Sequence, residues 1–167
     1  MTDRWDQHFL RLTLEHARMS KDPSTKVGAV IVGPDREIRA SGFNGFPRGI
    51  ADTMERLTNR EVKLSLVVHA EMNAVLNAVR SGVSVKACTL YLSATDESGA
   101  VWGGPPCTRC TVELIQAGIT EVVSLPFKAV PSRWKDSIEA ARALLTEAGV
   151  SYREIERLSP PAEKVQP

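Results

Sequence analysis

The sequence predicts an α/β protein: a three-layer α/β/α arrangement of a mixed five-stranded sheet with helices on both faces. Three observations carry this. Short apolar runs alternate with longer stretches whose apolar residues recur every three or four positions. The first two runs, Val27–Val32 and Ile38–Phe43, follow one another across Gly33-Pro34-Asp35, which reads as an antiparallel hairpin. The later runs are separated by helical stretches, which imply parallel crossovers.

The elements follow in order. Trp5, Phe9, Leu12, His16 and Met19 mark an amphipathic first helix, and its His8 and His16 read as surface or packing residues because no ligand partner lies nearby in sequence. Ser20–Thr25 is a connecting loop with a proline breaker, followed by the hairpin. Asn44-Gly45-Phe46-Pro47-Arg48-Gly49 has two readings: a loop whose glycines admit a ligand close to the backbone and whose Arg48 forks toward phosphate, or a surface turn. Ala51–Ser65 is polar and weakly periodic, a short helix at the rim. His69–Ser81 is a buried helix, apolar on most sides, with Asn73 and Asn77 placed to satisfy buried groups and Gly82 ending it. Cys88–Leu92 is a third strand, Ser93–Pro105 a loop or hairpin excursion, and Cys107–Gln116 a helix capped by Gly118. Glu121–Leu125 and Val150–Ile155 are strands four and five, with the amphipathic helix Arg133–Ala148 between them. No repeat or linker divides the chain. Residues 1–158 therefore read as a single domain and the aperiodic, proline-biased residues 159–167 as a disordered tail.

Composition bounds the function. A net charge of +1 over 167 residues leaves no basic stripe for a polynucleotide and favours a small substrate. The sequence has no apolar run of about 18 residues and no signal-peptide pattern, so a cytoplasmic protein is expected. Three cysteines, two of them in Cys107-x-x-Cys110, suit metal or redox chemistry better than a disulfide framework.

The chemistry concentrates in two places. His69-Ala70-Glu71 opens one helix, and Pro106-Cys107-Thr108-Arg109-Cys110 opens another. The i, i+3 spacing puts both sulfurs on one helix face. If the two helix starts converge, their dipoles favour thiolates. One imidazole and two thiols then make three ligands for a tetrahedral Zn²⁺ with the fourth position open to water, and Glu71 stands beside it as an acid–base group. A structural zinc would want a fourth ligand. Cys88 could supply one, but at a strand start a small buried thiol is the default reading. A redox dithiol is disfavoured by the His-x-Glu on a helix start.

His-x-Glu followed by Pro-Cys-x-x-Cys is the signature of zinc nucleobase deaminases. Three further blocks resemble the deoxycytidylate (dCMP) deaminases within the cytidine deaminase superfamily: Ser20–Ala29, Gly42–Gly49 and Val67–Ala74, with Leu114–Ile119 as a fourth. The resemblance spans about residues 5 to 155. It implies the cytidine deaminase-like fold and hydrolysis of dCMP to dUMP and ammonia, with one Zn²⁺ per subunit held by His69, Cys107 and Cys110. Glu71 would carry the proton to N3 while water attacks C4. Ala70 would offer its amide to the base carbonyl, and Asn44 would touch sugar or phosphate with Lys26 nearby. The resemblance further implies dCTP and dTTP as effectors, with Mg²⁺ accompanying dCTP, at a loop containing Phe46 and Arg48. It also implies a homo-oligomer, hexamer or dimer. Two features depart from the family pattern. Ser93–Pro105 is inserted ahead of the ligand helix, which makes Trp102 a pocket or lid candidate, and Leu64-Ser65-Leu66 replaces an aromatic stretch. These departures raise dCTP or a 5-substituted dCMP as alternative substrates. A nucleotide-sensing module without catalysis is the competing reading from another class, and a polynucleotide editor is disfavoured by the charge balance.

Overall fold

Strand order across the sheet is β2-β1-β3-β5-β6, so the hairpin occupies one side and the parallel strands the other. The computed structural model describes residues 4–127, 132–156 and 158. The five strands of that path are β1 (Thr25–Val32), β2 (Ile38–Phe43), β3 (Thr89–Asp96), β5 (Glu121–Ser124) and β6 (Ser151–Glu154). A two-residue β4 (Val101–Trp102) lies off the path against β3. The helices are α1 (Arg4–Ala17), α2 (Met54–Thr58), α3 (Arg60–Leu66), α4 (Ala70–Arg80), α5 (Thr108–Ala117) and α6 (Ser132–Glu147). Pairing is antiparallel for β2–β1 and β1–β3 and parallel for β3–β5 and β5–β6, the mixed sheet expected.

Side-chain alternation divides the core into two layers. On β1, Ala29 and Ile31 face one cluster and Val30 and Val32 the other. On β3, Leu90 and Leu92 face the first and Tyr91 the second; on β5, Val122 and Val123 divide in the same way. The first cluster takes Ala70 and Ala74 from α4, Leu114 from α5 and Leu145 from α6. The second takes Phe9 and Leu10 from α1. Each such buried large side chain contributes about 2 kcal/mol of transfer free energy. Helices therefore cover both faces, α1 on one and α4, α5 and α6 on the other.

Three expectations change in detail. The third strand does not stop at Leu92. It continues through Ser93 to Asp96 because β1 begins at Thr25 and pairs with those residues, Thr25 with Asp96 and Gly28 with Ser93. The excursion is then a hairpin. Asp96 accepts from Ser98 N (2.9 Å) and Ala100 N (3.1 Å), which folds the chain back so that Trp102 pairs with Ala94. That return is the sixth strand, one more than expected. The rim segment forms two short helices, α2 and α3, with Asn59 ending one and capping the next. The tail expected at residues 159–167 lies outside the described residues. Among the described residues, no helix is long and apolar enough to cross a membrane.

Candidate metal centre and active site

Helix α4 is seated on the edge strand β2 by small residues and two amides. Ala70, Ala74 and Ala78 are buried along its inner face. At Gly42 the backbones approach so closely that a Cβ there would lie 2.6 Å from the Ala70 carbonyl oxygen. Asn73 Nδ2 donates to the Phe43 carbonyl (2.7 Å) and Asn77 Nδ2 to the Ser41 carbonyl (2.7 Å). These bonds satisfy acceptors that an edge strand would otherwise leave open. The residue before the helix is tied as well. Val68 and Gly45 exchange backbone hydrogen bonds of 2.9 and 3.1 Å, joining the Asn44–Gly49 loop to the chain one residue ahead of His69.

His69 is the N-cap of α4 and Cys107 the N-cap of α5, and neither side chain caps its own helix. Both point elsewhere. His69 Nδ1 lies 3.5 Å from Cys107 Sγ and 3.4 Å from Cys110 Sγ. These three residues form a group able to hold a metal ion, with all ligand atoms within 4.8 Å of one another. A tetrahedral zinc, with Zn–S about 2.3 Å and Zn–N about 2.0 Å, spaces nitrogen and sulfur about 3.5 Å apart. The donors therefore fit zinc in both kind and spacing. Cys88 is apart from the group, buried in the core at the start of β3 with its thiol toward the Lys86 carbonyl.

Electrostatics support a thiolate here. Hydrogen bonding from the Cys110 thiol, and then from His69, pulls the Cys107 thiol down to about 4. The reciprocal hydrogen bond with Cys107 and burial push the Cys110 thiol up. The bond to Cys107 raises His69 to about 9 against the opposing effect of burial. Glu71, one residue into α4 from Ala70, is 5% exposed, and desolvation raises its carboxyl while His69 works the other way. A proton-accepting carboxyl group thus lies buried beside the three donors.

The other sequence-derived residues are placed unevenly. Ala70 is the first residue of α4, so its N–H has no acceptor within the helix. Asn44 is buried but its amide is engaged: Oδ1 accepts from Val27 N (2.7 Å) and Nδ2 donates to the Thr25 carbonyl (2.9 Å). Lys26 lies on β1 opposite Thr95. Arg48 reaches across to α4, donating to Asn77 Oδ1 (2.8 Å), while Phe46 is half-buried in the same loop. Trp102 packs edge-on against Phe127 with ring centroids 5.1 Å apart. It lies outside the donor group.

One hub escaped the sequence reading. Asp22, 6% exposed, takes Lys63 Nζ at 2.8 Å, Ser24 N at 2.8 Å and Asn44 Nδ2 at 3.4 Å. It gathers the start of β1, the loop after β2 and helix α3. The Asp22-Pro23-Ser24 turn signals the local bond. Nothing in sequence signals Lys63, 41 positions away.

Residues 3–125 match the family model described as the cytidine and deoxycytidylate deaminase zinc-binding region. The chain is 34% identical to the human deoxycytidylate deaminase, covering 89% of this chain and 78% of that protein. It is 35% identical to a probable deoxycytidylate deaminase of Drosophila melanogaster, with 89% and 71% covered. Among solved structures, dCMP deaminase from the cyanophage S-TIM5 in complex with dCMP and dUMP superposes with a TM-score of 0.69 over 93% of this chain and 99% of that one. At 24% identity that likeness speaks to the fold. The zinc-binding description of the matched region agrees with the His69, Cys107 and Cys110 group, and the chain belongs to the cytidine and deoxycytidylate deaminase family.

Proposed function

We infer that this protein is a zinc-dependent deoxycytidylate deaminase that converts dCMP and water to dUMP and ammonia. The observation that carries the reading is the convergence of His69, Cys107 and Cys110 on one point beside the buried Glu71. The 34% identity to the human deoxycytidylate deaminase over 89% of the chain supports dCMP as the substrate.

In this reading His69 Nδ1 and the two sulfurs would hold zinc. When bound, the ion lowers the pKa of a water to about 7, so that it is nucleophilic at neutral pH. Glu71 would take one proton from that water and give it to N3 of the ring as the remaining hydroxyl adds to C4. It would then carry the hydroxyl proton to the amino group, so that the C4–N bond breaks with loss of ammonia and the C4 oxygen remains as the carbonyl of dUMP. The burial of Glu71 suits it to hold and return a proton. The Ala70 N–H, lacking a helical acceptor, donates to the base carbonyl and orients the ring. Asn44 and Lys26 serve the sugar and phosphate. Since the Asn44 amide already bonds the backbone at residues 25 and 27, its contact with a nucleotide adds to that clasp.

Effector binding belongs to the same proposal. The Phe46 and Arg48 loop takes dCTP with Mg²⁺, or dTTP, and Arg48 leaves Asn77 to do so. Trp102 borders the pocket from β4. Residues 1–158 act as one deaminase domain, in the cytoplasm. The chain assembles as a homo-oligomer, hexamer or dimer, a reading supported by exposed Leu76 and Val79 on α4 and Val112 on α5. A panel of dCMP, dCTP, CMP, cytidine and 5-methyl-dCMP, run with and without dCTP, tests the substrate. Fastest turnover of dCMP is expected. A faster rate on another member of the panel contradicts it.

A further inference from the structure

Helix α5 begins without a cap of its own. An N-cap residue ordinarily turns its side chain back to satisfy an N–H of the first helical turn. Cys107 occupies that position with extended backbone angles (φ −63°, ψ 160°) but makes no capping hydrogen bond, because its sulfur is directed to His69. One open N–H of the first turn, that of Thr108 next to the N-cap, is met from another helix. Thr108 N donates to Ser137 Oγ (3.1 Å), Thr108 Oγ1 donates to the Ser137 carbonyl (2.9 Å), and the two hydroxyls share a third bond of 2.9 Å. The three bonds are mutually consistent: Ser137 Oγ accepts from the Thr108 N–H while giving its proton to Thr108 Oγ1. Ser137 is itself held, since its neighbour Ile138 and Ala141 one turn on are both buried.

We propose that Ser137 is a positioning residue for the metal centre, holding the first residue of α5 from α6 and so fixing the direction in which the adjacent Cys107 presents its sulfur. The two ligand helices then share one solution. At α4 the Gly45–Val68 bridge fixes the chain ahead of His69, and at α5 Ser137 fixes the residue after Cys107. In both, a distant segment fixes the residue next to the N-cap whose side chain faces the donor group. Groups that orient metal ligands from outside the coordination shell commonly change affinity by about 10- to 100-fold when removed.

The inference rests on His69, Cys107 and Cys110 being zinc ligands. The test is zinc affinity, measured by chelator competition on the full chain for wild type, Ser137→Ala and Ser137→Thr, with the cobalt-substituted absorption spectrum and the metal-free melting curve recorded beside it. Alanine favours helix more than serine does, so Ser137→Ala does not weaken α6 by propensity. The proposal predicts that Ser137→Ala weakens zinc about tenfold and shifts the sulfur-to-cobalt charge-transfer band. It predicts that Ser137→Thr, which keeps the hydroxyl, stays within about twofold of wild type. Equal affinity of wild type and Ser137→Ala overturns it. So does an equal loss in both variants, or a Ser137→Ala chain unfolded with and without metal, since each assigns Ser137 to packing alone. A wild-type chain that takes up no zinc overturns instead the ligand assignment beneath it.

Discussion

His69 and Cys107 stand at matching positions, each the N-cap of its helix, with Nδ1 of one 3.5 Å from Sγ of the other. The N-terminal ends of α4 and α5 therefore meet at the donor group, and both helix dipoles favour negative charge there. Cys110, one turn into α5, completes the group from the same side. Glu71 follows His69 by two residues and is buried, while His69 is half-buried.

The first prediction concerns Glu71. Replacing it with glutamine keeps the shape and removes the proton carrier. Turnover should fall by about 10²- to 10⁴-fold. Zinc content, read by elemental analysis of the purified variant, should match wild type because Glu71 is not a ligand. A Glu71→Gln chain as active as wild type contradicts its role.

The metal-free protein should carry a thiolate at unusually low pH. With the Cys107 thiol drawn down to about 4, the thiolate persists well below neutrality. An ordinary thiol, with pKa about 8.5, would be almost wholly protonated at about pH 5. Alkylation of the metal-free chain should thus stay rapid at about pH 5, and Cys107→Ala should abolish the rapid phase. The linkage signs follow. The depressed Cys107 contributes stability that is fully present above its unfolded value and is lost as pH falls toward about 4. The raised His69 contributes stability that is fully present below about 6.5 and is lost as pH rises through about 9. Denaturant melts of the metal-free chain across that range report both limbs.

Gly42→Ala tests the seat of α4. The added methyl would stand 2.6 Å from the Ala70 carbonyl oxygen and 2.8 Å from the Asn73 carbonyl carbon, so the helix must retreat from β2. Overpacking of this kind costs about 1 to 3 kcal/mol. Thermal denaturation should show that loss, together with weaker zinc binding, because His69 moves with the helix. An unchanged melting curve would mean that β2 and α4 are not in close contact.

A charge network joins the two ends of the described chain. Arg153 on β6 donates to both carboxylate oxygens of the buried Asp6 on α1 (2.8 and 3.1 Å) and to Glu121 Oε1 (2.7 Å), while Tyr91 donates to Asp6 Oδ1 (2.9 Å). Arg153→Met strands a carboxylate in the core. We expect a loss of about 2 kcal/mol in chemical denaturation, with catalysis retained in the folded fraction. Asp6→Asn in the same background should recover part of the loss.

What the sequence makes legible follows from how local the determining physics is. His69-x-Glu71 and Cys107-x-x-Cys110 can be read directly because coordination chemistry admits few side chains and the helical repeat fixes their spacing. The alternation on β1 and the apolar face of α4 are equally local. Other features depend on partners far along the chain. The Asp22–Lys63 pair spans 41 positions, the Thr108–Ser137 cap 29 and the Asp6–Arg153 pair 147, and no periodicity relates them. The end of β3 is hidden from the sequence for the same reason. Ser93 to Asp96 carry weak strand character, and their neighbour β1, more than sixty residues earlier, holds them in the sheet.

Whether one zinc, held by His69, Cys107 and Cys110, enables this chain to deaminate dCMP is decided by titrating zinc into the metal-free protein and following dUMP formation from dCMP at each point. Turnover should be absent without metal and rise linearly to a break at one ion per chain. Turnover by the metal-free chain, or a fully zinc-loaded chain that forms no dUMP, would contradict it.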